Sequence, residues 1–349
     1  MGKKRNILYT IPNFKTAGSQ FVVLELYKRI DRTFFQPYVL VEKFPAIVPD
    51  TILIEERLFI TEDIGTRSYI GKLARLLNEK KIDVLHSWDY KSNSLEALAC
   101  KKAGVKYLYT KKNNAWSKRW FAKSMLSSHV AYNNPEMKER FFSNVFLKNK
   151  ISFIPHGVDT SVFKPLPKAT KENKFVIGCI GVVGENKNQL VLLEALMELP
   201  KNVYIQFYGT EDEMYKKKLD DFIAANNLKD QVVFKGFIAN AHIPEVLTQF
   251  DVLVLASKNE GLPLSIMEGM ACGVPVLSSD SGGGARYLLK DNAGGYIFEN
   301  KNELVLQLLQ LYKNPELKTA LGEQGRKRVE AHFSIEKEVN TYKELYLSL

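Results

Sequence analysis

The sequence predicts an α/β protein made of two doubly wound, Rossmann-like domains. Short β-rich apolar runs alternate with longer helical stretches along the whole chain, the pattern of parallel strands joined by crossover helices. Its 349 residues suffice for two domains, each able to bury its own core. A polar, lysine-containing stretch at 165–174, with two prolines and no apolar run, breaks the alternation near the middle. In the first half, strands are expected at 7–11, 38–41, 84–86, 107–109, 130–132 and 152–154, where β-branched and aromatic residues cluster. Helices fall between them at 20–30, 65–80, 92–103, 116–127 and 136–142. The second half repeats the rhythm, with strands at 176–180, 204–208, 232–234, 252–256, 274–277 and 295–298. Its helices are expected at 188–199, 214–226, 244–248, 263–271 and 303–311, and the chain after 317 reads as helical with a break near Ser334. The predicted division is an N-terminal domain at 1–165, a second domain at 166–330 and a C-terminal helix at 331–349 expected to pack back on the first. Two such domains would face a cleft, and open parallel sheets bind ligands beyond the carboxyl ends of their strands.

Composition narrows the function classes. Hydrophobic residues make up 45% and charged residues 25%, which supports a folded chain and argues against a disordered or fibrous one. Cys100, Cys179 and Cys272 stand far apart and form no CxxC or Cys/His pair, so neither a disulfide framework nor a zinc ribbon is signalled. The N-terminus has basic residues but only a short apolar run before Pro12, so it reads as neither signal peptide nor spanning helix, and a cytoplasmic location is expected. The net charge of +10 is unevenly placed: residues 1–165 carry 28 Lys+Arg against 15 Asp+Glu, or +13, and residues 166–349 carry 21 against 24, or −3. A basic first domain and a slightly acidic second one point to different partners for the two.

The stretch 251–283, DVLVLASKNEGLPLSIMEGMACGVPVLSSDSGG, is the richest in chemistry. A buried strand runs into a polar loop and then into a helix whose first turn holds Pro263, a residue pre-organised for a helix start. Backbone amides from Gly261 through Leu262, Pro263, Leu264 and Ser265, together with the helix dipole, form an anion site suited to a diphosphate. Gly261 permits close backbone approach. Glu260 stands at the loop's edge, where a carboxylate accepts hydrogen bonds from sugar hydroxyls. Glu268 lies four residues after Leu264, and helical side chains lean toward the N-terminus, so its carboxylate can reach vicinal ribose hydroxyls. The plain alternative is that both acids are solvated surface groups around an ordinary turn.

The Glu-x7-Glu spacing of Glu260 and Glu268, the Gly-x-Pro helix start and the following Cys-Gly-Val-Pro-Val resemble the signature of retaining, nucleotide-sugar-dependent glycosyltransferases of family 4. That family has the GT-B fold, two Rossmann-like domains facing a central cleft. Further segments resemble the family in order and spacing: Ile154-Pro155-His156-Gly157-Val158-Asp159 with Phe163-Lys164-Pro165, Tyr208-Gly209-Thr210-Glu211, and Phe234-Lys235-Gly236-Phe237 near the expected nucleotide base. Thr16-Ala17-Gly18-Ser19 stands where the family often has Gly-Gly, facing donor phosphate and acceptor. The resemblance implies Glu260 and Lys187 as catalytic residues. It implies a donor site of Gly18, Lys187, Gly209, Phe237, Glu260, Gly261, Leu262, Pro263, Leu264, Ser265 and Glu268.

Two departures matter. The family usually has Gly-Arg-x-x-x-x-Lys after the first strand of its donor domain; here Gly181-Val182-Val183-Gly184-Glu185-Asn186-Lys187 keeps the lysine and has Val182 for the arginine. That removes a guanidinium able to hold phosphate bidentately. Many members also carry a Thr-x-His element meeting the transferred sugar; the comparable stretch here is Thr110-Lys111-Lys112, which puts Lys112 in the histidine's place. Lys111, Lys112 and His86, at the end of the third strand, are assigned to the acceptor side, with a satisfied structural histidine an equal reading for His86. Gly282-Gly283-Gly284 reads as a conformationally special turn, followed by Arg286 where the family has Glu.

The resemblance thus implies a retaining hexosyltransferase moving a sugar from a nucleoside-diphosphate sugar, UDP favoured and GDP possible, to a hydroxyl of a glycan or lipid-linked acceptor in cell-surface polysaccharide or lipopolysaccharide synthesis. The departing diphosphate takes the acceptor proton, and protein cations with the helix dipole stand where a metal would, so no cofactor and no metal are expected. A sugar-nucleotide 2-epimerase, a phosphorylase and a non-catalytic sugar-nucleotide sensor share the architecture. Nucleic acid is not an expected partner, because no nucleic-acid motif accompanies the charge. The stretch Trp116–Leu126 (WSKRWFAKSML) places Trp116 and Trp120 four apart beside Lys118, Arg119 and Lys123. It reads either as a helix lying on an anionic membrane surface, making the protein peripheral on the inner face, or as a partly buried helix with a solvated basic face.

Overall fold

The computed structural model describes residues 4–14, 18–41, 48–60, 65–89, 91–167 and 174–349. The chain folds into two compact units, Met1–His156 with Ile335–Leu349, and Gly157–Ser334. In the first, β1 (Arg5–Ile11), α1 (Gly18–Arg29), β2 (Phe35–Val41), β3 (Arg57–Phe59), α2 (Arg67–Glu79), β4 (Val84–Ser87), α3 (Leu95–Ala103), β5 (Lys106–Lys111), α4 (Lys118–Leu126), β6 (His129–Tyr132), α5 (Glu136–Phe142) and β7 (Ile151–Phe153) alternate. They form a wholly parallel seven-stranded sheet in the order β3-β2-β1-β4-β5-β6-β7. The second unit has β8 (Phe175–Ile180), α6 (Leu190–Leu196), β9 (Val203–Tyr208), α7 (Glu213–Ala225), β10 (Val232–Phe234), α8 (Ile243–Leu247), β11 (Val252–Leu255), α9 (Leu264–Ala271), β12 (Val276–Ser279), α10 (Gly284–Leu288), β13 (Gly295–Phe298), α11 (Lys301–Lys313) and α12 (Pro315–His332). Its six parallel strands run β10-β9-β8-β11-β12-β13. Both sheets therefore reverse direction of growth beside their first strand, the doubly wound arrangement with helices on both faces.

Sequence explains the elements. Every residue of β8 and β11 is buried, as expected of central parallel strands covered on both sides. Asp212, Asn300 and Asn314 cap α7, α11 and α12 by accepting the N–H of Tyr215, Glu303 and Leu317, and Pro315 opens α12 where its missing donor costs nothing. Gly104 ends α3 in the left-handed region at φ 73°. The division falls at His156/Gly157, before the expected 165/166, because Val158 and Phe163 belong to the second unit's core and Arg326 of α12 donates to the carbonyls of Thr160, Phe163 and Ala271. Most of the 165–174 stretch, 168–173, lies outside the described residues. The final helix, α13 (Ile335–Ser348), packs in the first unit: Tyr342 and Tyr346 are buried, Lys343 pairs with Asp31 at 2.8 Å, and Arg5 donates to the Tyr346 carbonyl at 2.6 Å.

The aromatic residues of 116–126 do not form a membrane face. Trp116 stacks on Phe141 with centroids 5.0 Å apart and planes within 8°, and Trp120 is buried against Tyr109 at 5.8 Å. Lys123 is buried too, donating to the Lys91 carbonyl at 2.9 Å. Trp120, buried, and Trp116, partly buried, hide a large apolar area against this unit's core, and only Lys118 and Arg119 of that stretch's cations stay exposed. Among the described residues no helix is long and apolar enough to cross a membrane.

Candidate functional site

The second sheet's switch point lies between β8 and β11, and the loops leaving the carboxyl ends of these two strands carry the main candidate residues. After β8 the chain turns at Gly181, whose N–H donates to the Tyr208 carbonyl at 2.8 Å. Gly181 and Gly209 hold φ of 146° and 149°, and a Cβ at Gly209 would stand 2.0 Å from the Gly181 carbonyl oxygen. The two turns are thus in backbone contact that only glycine permits. Gly209 N–H donates on to Gly236, extending the rim to β10. Buried Gln189 braces the β8 loop from inside, its Oε1 accepting the Gly184 N–H at 3.3 Å and its Nε2 donating to the Val182 carbonyl at 3.0 Å.

This loop lifts Lys187 across Gly181, and its Nζ donates to Glu260 Oε1 at 2.6 Å. Both side chains are about one-fifth exposed, so the pair is shielded yet reachable. Two further bonds knit the loops: Lys258 N–H to the Asn186 carbonyl at 2.7 Å and Asn186 Nδ2 to the Asn259 carbonyl at 3.1 Å. Glu260 N–H donates to the Ser281 carbonyl at 2.7 Å, and a Cβ at Gly284 would meet the Gly261 carbonyl oxygen at 1.9 Å. The Glu260–Gly261 corner is therefore held from both sides. Gly282 and Gly283, at φ 108° and 84°, supply the backbone that makes this approach, and the third glycine starts α10.

Pro263 is the N-cap of α9 at ψ 115°, so the helix starts at Leu264, one residue after the expected 263, and no side chain caps this end. Having no N–H, Pro263 drops out of the expected row of amides; Leu264 and Ser265 N–H remain without intrahelical acceptors. Leu262 is buried beneath the loop. Glu268 follows one turn later, half-buried, with desolvation raising its carboxyl to about 7. Phe237, just past Gly236, is 62% exposed, and Val182 is 49% exposed where the resemblance implies an arginine. Ser257 and Ser281, buried with hydroxyls that find no partner among the described residues, follow β11 and β12 and carried no sequence signal beyond their position in the loops.

The acceptor-side candidates lie in the other unit. His86 is fully buried, Nδ1 facing Tyr346 Oη at 2.6 Å and Nε2 facing Thr110 Oγ1 at 2.8 Å. Burial beside Lys112 holds its pKa well below the ordinary value, and with both nitrogens engaged it offers no edge to a ligand. Lys111 is buried as well, its Nζ donating to the Asn113 carbonyl at 2.5 Å and to Asn113 Oδ1, 4.1 Å from the Trp120 centroid. Lys112 donates to the Trp88 carbonyl at 2.5 Å and is only partly buried. Desolvation lowers both lysines to about 7, with the neighbouring Lys123 adding to the effect. His156 braces the same unit, facing Asn133 Nδ2 at 2.9 Å and Glu338 of α13 at 3.1 Å. Gly18 opens α1; Thr16 and Ala17 before it lie outside the described residues. No group of three His, Cys, Asp or Glu side chains able to hold a metal occurs among the described residues.

The family model described as glycosyl transferases group 1 matches residues 163–328, and that described as glycosyltransferase family 4 matches 16–162. Among curated proteins, the Escherichia coli UDP-Gal:alpha-D-GlcNAc-diphosphoundecaprenol alpha-1,3-galactosyltransferase is 27% identical over 308 residues, covering 79% of this chain and 78% of the relative. The lipopolysaccharide core biosynthesis mannosyltransferase LpcC of Rhizobium leguminosarum is 28% identical over 222 residues, 59% of this chain and 62% of that protein. Among solved structures, Anabaena Alr3699/HepE in complex with UDP and glucose superposes with a TM-score of 0.83 at 19% identity, covering 98% of this chain and 99% of that one.

Proposed function

The chain belongs to the family 4, group 1 glycosyltransferases with the GT-B fold, and from that premise we propose that it moves a hexose, with retention, from a UDP-sugar to a hydroxyl of a glycan or lipid-linked acceptor. The observation that carries the reading is the meeting of Lys187 and Glu260, 73 residues apart, over the switch point of the second sheet. A cation and a carboxylate at 2.6 Å answer the two ends of such a donor. When a diphosphate enters, Lys187 turns to it and releases Glu260 to hydrogen-bond the sugar hydroxyls. Leu264 and Ser265 amides add the positive end of α9 to the phosphate, and Glu268 receives the ribose. Lys187 and these amides, with no resident metal, are assigned the charge that develops on the leaving diphosphate, the main protein contribution to a transition state of this kind. The departing phosphate oxygen takes the acceptor proton.

UDP is preferred because the E. coli relative's name specifies UDP-Gal and the Anabaena structure contains UDP. A lipid-linked acceptor in cell-surface polysaccharide or lipopolysaccharide synthesis is preferred for the same reason: the relatives' names specify a diphosphoundecaprenol substrate and a lipopolysaccharide core. Such an acceptor would be met at the inner face of the membrane by a peripheral protein.

The test is a screen of UDP-, GDP- and ADP-sugars for thermal stabilisation, followed by Lys187→Ala and Glu260→Ala in the stabilising donor. Each variant should keep the wild-type melting temperature within a few degrees and lose at least a hundredfold in transfer, the scale of removing one group aimed at developing charge. Near-normal turnover in either would sink its role. Donor binding by the wild type without transfer or hydrolysis would favour a sugar-nucleotide sensor, the reading that Val182 motivates.

A further inference from the structure

With Trp116 and Trp120 spent in the core, the first unit's exposed apolar side chains lie elsewhere. After α5 the chain turns at Asn144, whose Oδ1 accepts the Phe146 N–H at 3.0 Å while its carbonyl accepts the Leu147 N–H at 2.9 Å. Leu147 is buried as an anchor, and its two neighbours are thrust outward, Val145 72% and Phe146 70% exposed. Lys150 Nζ donates to the carbonyls of Met125 and Ser127 at 2.7 and 3.0 Å, tying the turn to the end of α4, where Met125 is itself exposed. The charged residues of 138–150 are Lys138, Arg140, Lys148 and Lys150 against Glu139 alone, and Lys138, Arg140 and Lys148 are exposed.

Nothing in this unit requires Val145 and Phe146 to be wet. Leaving two such side chains in water forgoes the favourable burial of their apolar area. Two adjacent apolar side chains thrust outward fit an apolar medium that closes around them, and the flanking cations select one with a negatively charged surface. We propose that the 143–148 turn docks the protein on an anionic lipid surface, Val145 and Phe146 entering the headgroup boundary while Lys138, Arg140 and Lys148 meet lipid phosphates. This rests on the membrane-presented acceptor proposed above and names the surface that reaches it.

The full chain is floated with phosphatidylglycerol/phosphatidylcholine vesicles and with phosphatidylcholine alone, at low and high salt, and UDP-induced thermal stabilisation is measured in parallel. The wild type should bind the anionic vesicles at least tenfold better. The double variant V145D/F146D should bind them at least tenfold more weakly, and Lys148→Glu about fivefold or more, the worth of one basic residue near such a surface. Both variants should keep the wild-type UDP response, since their positions are exposed and lie outside the nucleotide unit. Wild-type flotation equalled by V145D/F146D would overturn the assignment of this turn and leave the membrane reading standing. A wild type that ignores anionic vesicles but is retained by polyglutamate would overturn both in favour of an acidic protein surface, while its UDP response would still speak for the donor site.

Discussion

If Glu268 receives the ribose as proposed, nucleotide binding should be a proton-linked event. Its carboxylate stands half-buried on α9 with no hydrogen-bond donor among the described residues, and desolvation raises it from 4.5 to about 7. Ribose hydroxyls donating to this group favour its ionised form, so binding must drive off whatever proton it holds. If only the ionised form binds, the apparent dissociation constant is raised about twofold at pH 7 and about elevenfold at pH 6, and hardly at all at pH 8. UDP-glucose is the suitable probe, because its diphosphate diester has no ionisation in this window, whereas the terminal phosphate of UDP titrates within it. Titration calorimetry at pH 7 in two buffers of different ionisation enthalpy should report release of about half a proton. Glu268→Gln should bind more weakly at pH 8 and lose both the pH dependence and the proton release. The sign for stability is opposite to that of a salt-bridged acid. The native state binds more protons than the unfolded one between pH 4.5 and about 7, so stability falls as pH rises through that window. The constant penalty above it is at most about 3 kcal/mol, and Glu268→Gln should recover part of it as a higher melting temperature at pH 8. A wild type whose affinity is flat from pH 6 to 8, or matched in slope by Glu268→Gln, would refute the ribose contact.

Lys111 should show the complementary behaviour. Its pKa is lowered from 10.5 to about 7, so the unfolded chain binds more protons between those values and stability rises with pH across them. Melting curves from pH 7 to 9 should climb in the wild type and climb less steeply in Lys111→Met, which keeps only the share due to Lys112, a difference of up to about 3 kcal/mol; parallel curves would show that the amine is not desolvated. Gly284→Ala places a methyl group 1.9 Å from the Gly261 carbonyl oxygen, so the Glu260–Gly261 corner must move. We expect a loss of about 1–3 kcal/mol in stability and at least tenfold in UDP affinity by calorimetry, and unchanged affinity would show that the corner is not held by this contact.

The alternation of apolar runs made both sheets legible, because central parallel strands such as β8 and β11 are apolar on both faces and announce themselves. β3, three residues long at a sheet edge, and α10, five residues opened by a glycine, were not read, since neither is long enough to show a period. In the candidate site, spacing singled out Glu260 and Lys187, which the structure brings together, and the glycine turns that hold their loops. It could not locate Gln189, which works through two backbone bonds from a buried side chain, nor Ser257 and Ser281. For Trp116, Trp120 and His86 it left two readings open, and the structure turns each of them inward. A tryptophan four residues from another beside lysines looks the same in one dimension whether it faces lipid or Phe141. A histidine at a strand end looks the same whether it meets a ligand or Tyr346 and Thr110.

The uneven charge changes meaning for the same reason. Counting residues credits the first 165 positions with +13, yet Lys111 and Lys123 are buried against Trp120 and Tyr109, and Lys112 sits 5.0 Å from the Trp88 ring centroid. With Lys111 and Lys112 drawn down to about 7, each is only about half charged at neutral pH, and what charge they keep is directed at aromatic rings and carbonyls. The field that reaches an external partner comes instead from the cations that stayed in water, among them Lys28, Arg67, Lys101, Lys102, Lys106, Lys118, Arg119, Lys138, Arg140 and Lys148. Lys138, Arg140 and Lys148 flank the outward-facing Val145 and Phe146 in sequence, so the 143–148 turn joins exposed cations to exposed apolar side chains, whereas the tryptophan helix that the same charge count singles out turns Trp120 into the core.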